Sequence, residues 1–143
     1  MLATCGLLAA CAARSPDKGA ANDTASTPAA TASGSGEIHI TTKAPSYVPG
    51  AMVGIKIHNA TAHQYAFNPC TRSFEREGHG KVAEADRMCT MEAWLLEPNG
   101  TSDATVDLPV GVEPGSYTLS IDFSAQDSSG VPIHATSNPF EVQ

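Results

Sequence analysis

The chain has 143 residues and carries 15 acidic side chains against 8 lysines and arginines, for a formal charge of −7. Nucleic-acid binding rests on clustered Lys and Arg that neutralise phosphates, so this balance argues against a nucleic-acid partner. Apart from its N-terminal 36 residues the chain leaves 107 residues, room for one domain of ordinary size.

Residues 1–10 are small and apolar, with Leu2, Leu7 and Leu8 as the bulk, and they run into Leu8-Ala9-Ala10-Cys11. That tetrad resembles a bacterial lipobox, and the stretch before it resembles a lipoprotein signal peptide. The resemblance implies that Cys11 takes a diacylglycerol on its sulfur and becomes the mature N-terminus, while Cys5 is discarded with the leader. Export signals open with a Lys/Arg-bearing stretch, and no basic residue precedes Arg14, so the start is expected upstream of Met1. The apolar stretch is itself too short for a membrane span, which needs about 20 such residues. Ala12 follows the lipobox where an Asp would imply inner-membrane retention. The resemblance therefore implies a lipid anchor in the bacterial envelope, on the outer membrane if the cell is Gram-negative.

From Ala12 to Gly36 there is no Val, Ile, Leu, Phe, Tyr or Trp. Such a segment cannot bury enough apolar surface to offset its ordering entropy. Residues 11–36 are thus expected to form a lipidated Cys and a disordered linker, spanning roughly 25–30 Å by random-coil scaling. In that compartment the two remaining cysteines, Cys70 and Cys89, are expected to pair. Eighteen residues lie between them, and closing such a loop is worth roughly 3 kcal/mol.

The domain, 37–143, reads as a series of short strands. Ile38 and Ile40 alternate with His39 and Thr41. Two prolines in Ala44–Gly50 forbid helix, and Pro49-Gly50 suits a turn. Val53, Ile55 and Ile57 mark a second strand, Tyr65 and Phe67 a third. Between Thr71 and Arg87 only Phe74 and Val82 are candidates for packing, so this stretch is expected to be an exposed hairpin between edge strands. Its reversal would fall at Glu77-Gly78-His79-Gly80-Lys81. Met88 to Leu96 is the next expected strand, ended by Glu97-Pro98-Asn99-Gly100. Ala104, Val106 and Leu108 follow. After Pro114-Gly115, Tyr117, Leu119, Ile121 and Phe123 give the cleanest alternation in the chain and are expected at the centre of the core. Gln126–Gly130 is a polar loop. Val131, Ile133, Phe140 and Val142 supply a last strand, interrupted at Ser137-Asn138-Pro139.

Seven to eight short strands with Pro-Gly and Asn-Gly turns, and no helical period, predict an all-β antiparallel sandwich. Tyr117 stands where a tyrosine corner would. The phrases Tyr47-Val48-Pro49-Gly50, Asn68-Pro69-Cys70, Arg87-Met88-Cys89-Thr90-Met91-Glu92 and Pro114-Gly115-Ser116-Tyr117-Thr118-Leu119 resemble the immunoglobulin-like domains of small bacterial secreted lipoproteins. The resemblance implies an exported immunoglobulin-like fold without chemistry of its own.

Each residue that could carry chemistry also has a purely structural role open to it. Gly78-His79-Gly80-Lys81-Val82-Ala83 matches the bare G-x-G-x-x-A string, but lacks the strand before it and the helix after it that a dinucleotide site requires. A Cys/His nucleophile would need Cys70 or Cys89 as a free thiolate beside His79, against the expected pairing. His58, His63, His79, Met88 and Met91 offer copper ligands at irregular spacing; the bland reading puts the His on solvated faces and one or both Met in the core. Trp94 is either a core plug or, if Met91, Ala93 and Leu95 face inward, an exposed binding anchor. The reading is therefore a non-catalytic, membrane-tethered module for protein interaction or envelope organisation, with no cofactor and no dedicated metal site. Trp94, Arg72, Arg76 and His79 are its candidate binding surface. The alternatives are a protease inhibitor presenting the 71–88 loop and a periplasmic copper-binding protein.

Overall fold

The computed structural model describes residues 38–84 and 87–143; the expected leader, Cys11 and linker lie outside the described residues. Eleven strands follow in chain order: β1 (Ile38–Thr42), β2 (Ser46–Tyr47), β3 (Met52–Asn59), β4 (Tyr65–Phe67), β5 (Ser73–Arg76), β6 (Gly80–Lys81), β7 (Trp94–Leu96), β8 (Thr101–Asp107), β9 (Gly115–Ala125), β10 (Ile133–Thr136) and β11 (Phe140–Val142). One short 3-10 helix, Pro69–Thr71, separates β4 from β5.

The first sheet is β1-β3-β8, antiparallel throughout. Period-two alternation sends Ile38, Ile40, Val53, Ile55, Ile57, Ala104 and Val106 to its inner face and His39, Lys56, His58 and Thr105 to water. The second sheet is built on β9, whose Tyr117, Leu119, Ile121 and Phe123 are all buried. On one side of β9, β4 pairs with Phe123–Ala125 and β5 with Tyr117–Ser120, so the two are successive pieces of one interrupted strand. On the other, β10 pairs with Ser120–Phe123 and β11 with Gly115–Tyr117, again one strand in two pieces. Counting each interrupted pair once, and leaving out the two-residue β2 and β6, seven strands remain. That is the number an immunoglobulin-like sandwich needs.

Two devices join the sheets. The chain leaves β1 in the first sheet and pairs β2 parallel to β11 in the second. The Ser137-Asn138-Pro139 interruption turns inward instead of looping out, with Ser137 and Asn138 both buried. Asn138 Oδ1 accepts from the Thr42 amide at 2.8 Å, and its Nδ2 donates to Thr42 Oγ1 at 2.9 Å. Ser137 Oγ accepts from the Leu119 amide at 3.0 Å. Buried polar groups are tolerable only when paired in this way. The tyrosine corner is present, the Tyr117 hydroxyl donating to the Glu113 carbonyl at 2.6 Å.

Three expectations need correction. Segment 71–87 is not an edge excursion, because β5 is paired along β9 and Phe74 is completely buried; one large aromatic at the right parity draws the strand into the sheet. The run from Met88 to Leu96 is strand only over Trp94–Leu96, where β4 offers three residues to pair with. Of the two parities open for it, the one with Met91, Ala93 and Leu95 inward does not hold: Leu96 is buried while Met88, Met91, Ala93 and Leu95 are exposed, so neither of these methionines fills the core as the structural reading of them expects.

Candidate functional site

The disulfide segment is assembled from the end of β4. Asn68 caps the 3-10 helix, its Oδ1 accepting from the Cys70 amide at 2.9 Å. Its Nδ2 reaches across to donate to the Thr90 carbonyl at 2.8 Å. Beside it Cys70 and Cys89 are disulfide-bonded, with their Cα atoms 5.6 Å apart. Two adjacent positions of the return segment, Cys89 and Thr90, are thus pinned to the capped 3-10 helix that follows β4. Met88 and Met91, on either side of the pinned pair, stand fully in solvent at 99% and 101% exposure.

β7 continues from this segment and closes the sheet path beyond β4. Trp94 leans edge-on against Phe67, ring centroids 6.0 Å apart, and remains 38% exposed. It is therefore half core packing and half surface, between its two sequence readings. Leu95 points out on the other face at 57% exposure. A hollow of about 390 Å³ beside the strand is lined by Phe67, Thr90, Met91, Ala93 and Asp122 among others. Met88, Met91, Trp94 and Leu95 are thus exposed on and beside a sheet edge that is unpaired among the described residues, on both faces of the strand, and Glu92 and Glu97 lie exposed among and beside them.

The basic residues singled out in the sequence lie elsewhere and differ in kind. Arg72 is buried: its Nη2 donates to the Asp107 carbonyl, its guanidinium lies 5.3 Å over the Phe74 ring, and Glu84 stands 3.8 Å away. It cannot be part of a binding surface, because it serves as the polar cover of the Phe74 pocket. Glu84 also pairs with Arg87; burial pushes its carboxyl above the usual carboxylate range, against the opposing pull of Lys81. Arg76 is half-buried, held by Glu113 Oε2 at 2.5 Å and the Pro114 carbonyl at 2.8 Å. His79 is exposed at the β5–β6 turn, where Gly78 and Gly80 take positive φ. Arg76 and His79 line a common groove of about 530 Å³ with Val82, Val112 and Tyr117; Trp94 is not among its lining residues.

The groups expected for copper are on separate elements: His58 on β3, His63 in the β3–β4 loop, His79 in a hairpin turn, and the two Met in segment 87–93. His63 Nδ1 is 3.0 Å from Asp127 Oδ2. The Ser129 hydroxyl, His63 and the amides of Gly130 and Ser129 hold the Asp127 carboxyl far below the usual range, making it the knot of its loop. Among the described residues, no group of three or more His, Cys, Asp or Glu is placed to hold a metal ion. Cys70 and Cys89 are consumed in the disulfide, so neither is a thiolate nucleophile. Gly78 and Gly80 lead into a strand rather than a helix, which disposes of the dinucleotide string.

No family model matches the chain, and no curated protein matches it. Among solved structures it is similar to the C-terminal domain of Wzt, at 15% identity and a TM-score of 0.41, over 77% of this chain and 75% of that one. It is similar to the ASH/PapD-like domain of human CEP192 at 13% identity and a TM-score of 0.35, over 75% of this chain and 87% of that one. The periplasmic chaperone SfaE gives 11% identity and a TM-score of 0.41, with 74% of this chain and 57% of that one covered. The assignment of the chain as an immunoglobulin-like β-sandwich rests on its own strand order, set out above.

Proposed function

We propose that the protein is a non-catalytic interaction module, lipid-anchored through Cys11 in the bacterial envelope, that captures an extended segment of a partner protein along β7. The observation that carries this is the exposure of Met88, Met91, Trp94 and Leu95 on and beside a strand whose outer edge has no neighbour among the described residues. An open edge offers main-chain donors and acceptors to an incoming strand, and proteins ordinarily blunt such edges with charge or proline. Here the edge strand, Trp94-Leu95-Leu96, is short but itself carries neither charge nor proline. Flexible thioethers suit a surface that accepts more than one side-chain shape. Glu92 and Glu97, on a domain of net negative charge, favour a partner strand that alternates apolar residues with Lys or Arg.

The inhibitor reading has less support. Arg72 is buried and residues 74–76 are hydrogen-bonded on both flanks, so this half of the segment is not free to enter a protease cleft, although the His79 turn and Met88 are exposed.

Selection of decapeptides from a random library against the full chain tests the module. Selected sequences are expected to alternate apolar and basic residues and to shift the amide resonances of residues 93–97. Leu95→Lys and Met91→Lys are each expected to weaken binding at least tenfold, as loss of a central contact does. Shifts confined to other elements, or affinities unchanged in both variants, would reject β7 as the site. The anchor is tested separately: Cys11→Ser is expected to move the protein from the membrane to the soluble fraction, and the parent to carry acyl mass on Cys11. A parent that fractionates as soluble, unacylated material refutes the anchor but leaves the edge untouched.

A further inference from the structure

On the outer face of the first sheet, His39 of β1 and His58 of β3 are directly opposed across the strand pair. Their rings lie 6.5 Å apart, centroid to centroid, with planes within 15° of parallel, and both residues are exposed. Cross-strand pairs that stabilise a sheet are aromatic, β-branched or oppositely charged; two imidazoles in register gain little from one another and repel when both carry a proton. What two neutral imidazoles so placed do well is share a cation, because each offers a ring nitrogen to a late first-row metal.

Thr101 of β8, the cross-strand partner of His58 on its other side, sets the ring's orientation. Its Oγ1 is 3.3 Å from His58 Nδ1. A hydrogen bond there, with Nδ1–H donating, fixes the tautomer that leaves Nε2 unprotonated and free to coordinate. The sheet supplies the rest of the preorganisation, since β1 and β3 are paired over five residues around the His pair and the backbone cannot drift. A metal–nitrogen bond of about 2.0–2.1 Å requires the His39 ring to close on His58 by rotation about its side-chain torsions, which its exposure leaves free. The same face carries Thr41, Lys56 and Asp103. Asp103 is already paired with Lys43 at 2.8 Å, so the ligand set is the two imidazoles with water in the remaining positions.

We infer that His39 and His58 form a two-imidazole surface site for a divalent late first-row cation, with Cu²⁺ preferred over Ni²⁺ and Zn²⁺. The site is independent of the β7 edge, which lies in the other sheet. It also differs from the scattered copper ligands first weighed in the sequence, of which it uses only His58. Titration of the full chain with Cu²⁺, read by calorimetry and by broadening of the imidazole ring protons, tests it. The expected result is one tight event that broadens His39 and His58 before His63, His79 or His134, weakened at least tenfold in His39→Ala and in His58→Thr. His134→Ala is expected to leave it unchanged. Thermal unfolding of each variant shows whether the fold survives, and both positions are solvent-facing strand sites where these residues fit. Affinity unchanged in both His39→Ala and His58→Thr, or broadening that begins at another histidine, would overturn the assignment.

Discussion

Replacing Cys70 and Cys89 together by serine is expected to lower the unfolding free energy by about 3 kcal/mol, the loop-closure value for a crosslink of this span. The loss should appear first in a particular place. Between Val82 and Ala93 the described residues form no strand and no large apolar side chain is fully buried; Val82 and Glu84 anchor its start to Phe74 and Arg72, and beyond them little but the disulfide and the Asn68–Thr90 hydrogen bond holds the return segment to the 3-10 helix after β4. Residues 73–76, though enclosed by the same crosslink, are held independently through β9 and Phe74. The double variant should therefore be cut by trypsin after Arg87 well before amide protection is lost at 73–76. Denaturation midpoints that coincide with the parent, or loss of β5 protection together with the return segment, would show that the crosslink has another role. Because Met88 and Met91 flank Cys89, the same variant is expected to weaken any ligand held along β7.

How far the sequence carried this picture depends on whether a residue's partner is near in the pattern or distant in the chain. The alternation in β1, β3, β8 and β9 is local, and a strand buried on one face must show it, so the cores of both sheets were readable residue by residue. Tyr117 was readable because its partner lies four residues upstream. The inward turn at Ser137 and Asn138 was not: those residues look like a loop, and what buries them is Thr42, 96 positions away, and the Leu119 amide. Arg72 misled for a related reason. An arginine in a charged stretch reads as surface, and only the fold brings the Asp107 carbonyl and the Phe74 ring to it. The His39–His58 pair could have been found by aligning two alternating strands in antiparallel register, but that register is set by the whole sheet rather than by either strand. The exposed apolar row was half legible. Trp94 stands out in the sequence as a possible surface anchor, whereas Met88 and Met91 offer only a copper-ligand or a core reading, because a thioether usually goes to one or the other.

Phe74→Ala is expected to cost about 3–5 kcal/mol, a large share of the 5–15 kcal/mol that holds a domain of this kind together. The side chain is completely buried, packs against Phe140 at 6.3 Å between ring centroids, and lies beneath the Arg72 guanidinium. Truncation would empty a ring-sized space between β5 and β11. It would also remove the face against which a buried cation rests, so Arg72 would keep its desolvation cost with one fewer favourable contact. Phe74→Leu, which retains apolar volume, should lose no more than about 1.5 kcal/mol. Urea denaturation of the two variants distinguishes the structure from the simpler sequence reading. If 71–87 were a peripheral hairpin, both substitutions would cost little and β5 could fray without consequence for the core. If β5 is an interior strand locked by one aromatic ring, Phe74→Ala falls well below Phe74→Leu and the whole sandwich unfolds with it in a single transition. A Phe74→Ala loss under about 1 kcal/mol, outside the range for a large aromatic leaving a closed core, would return the segment to the surface.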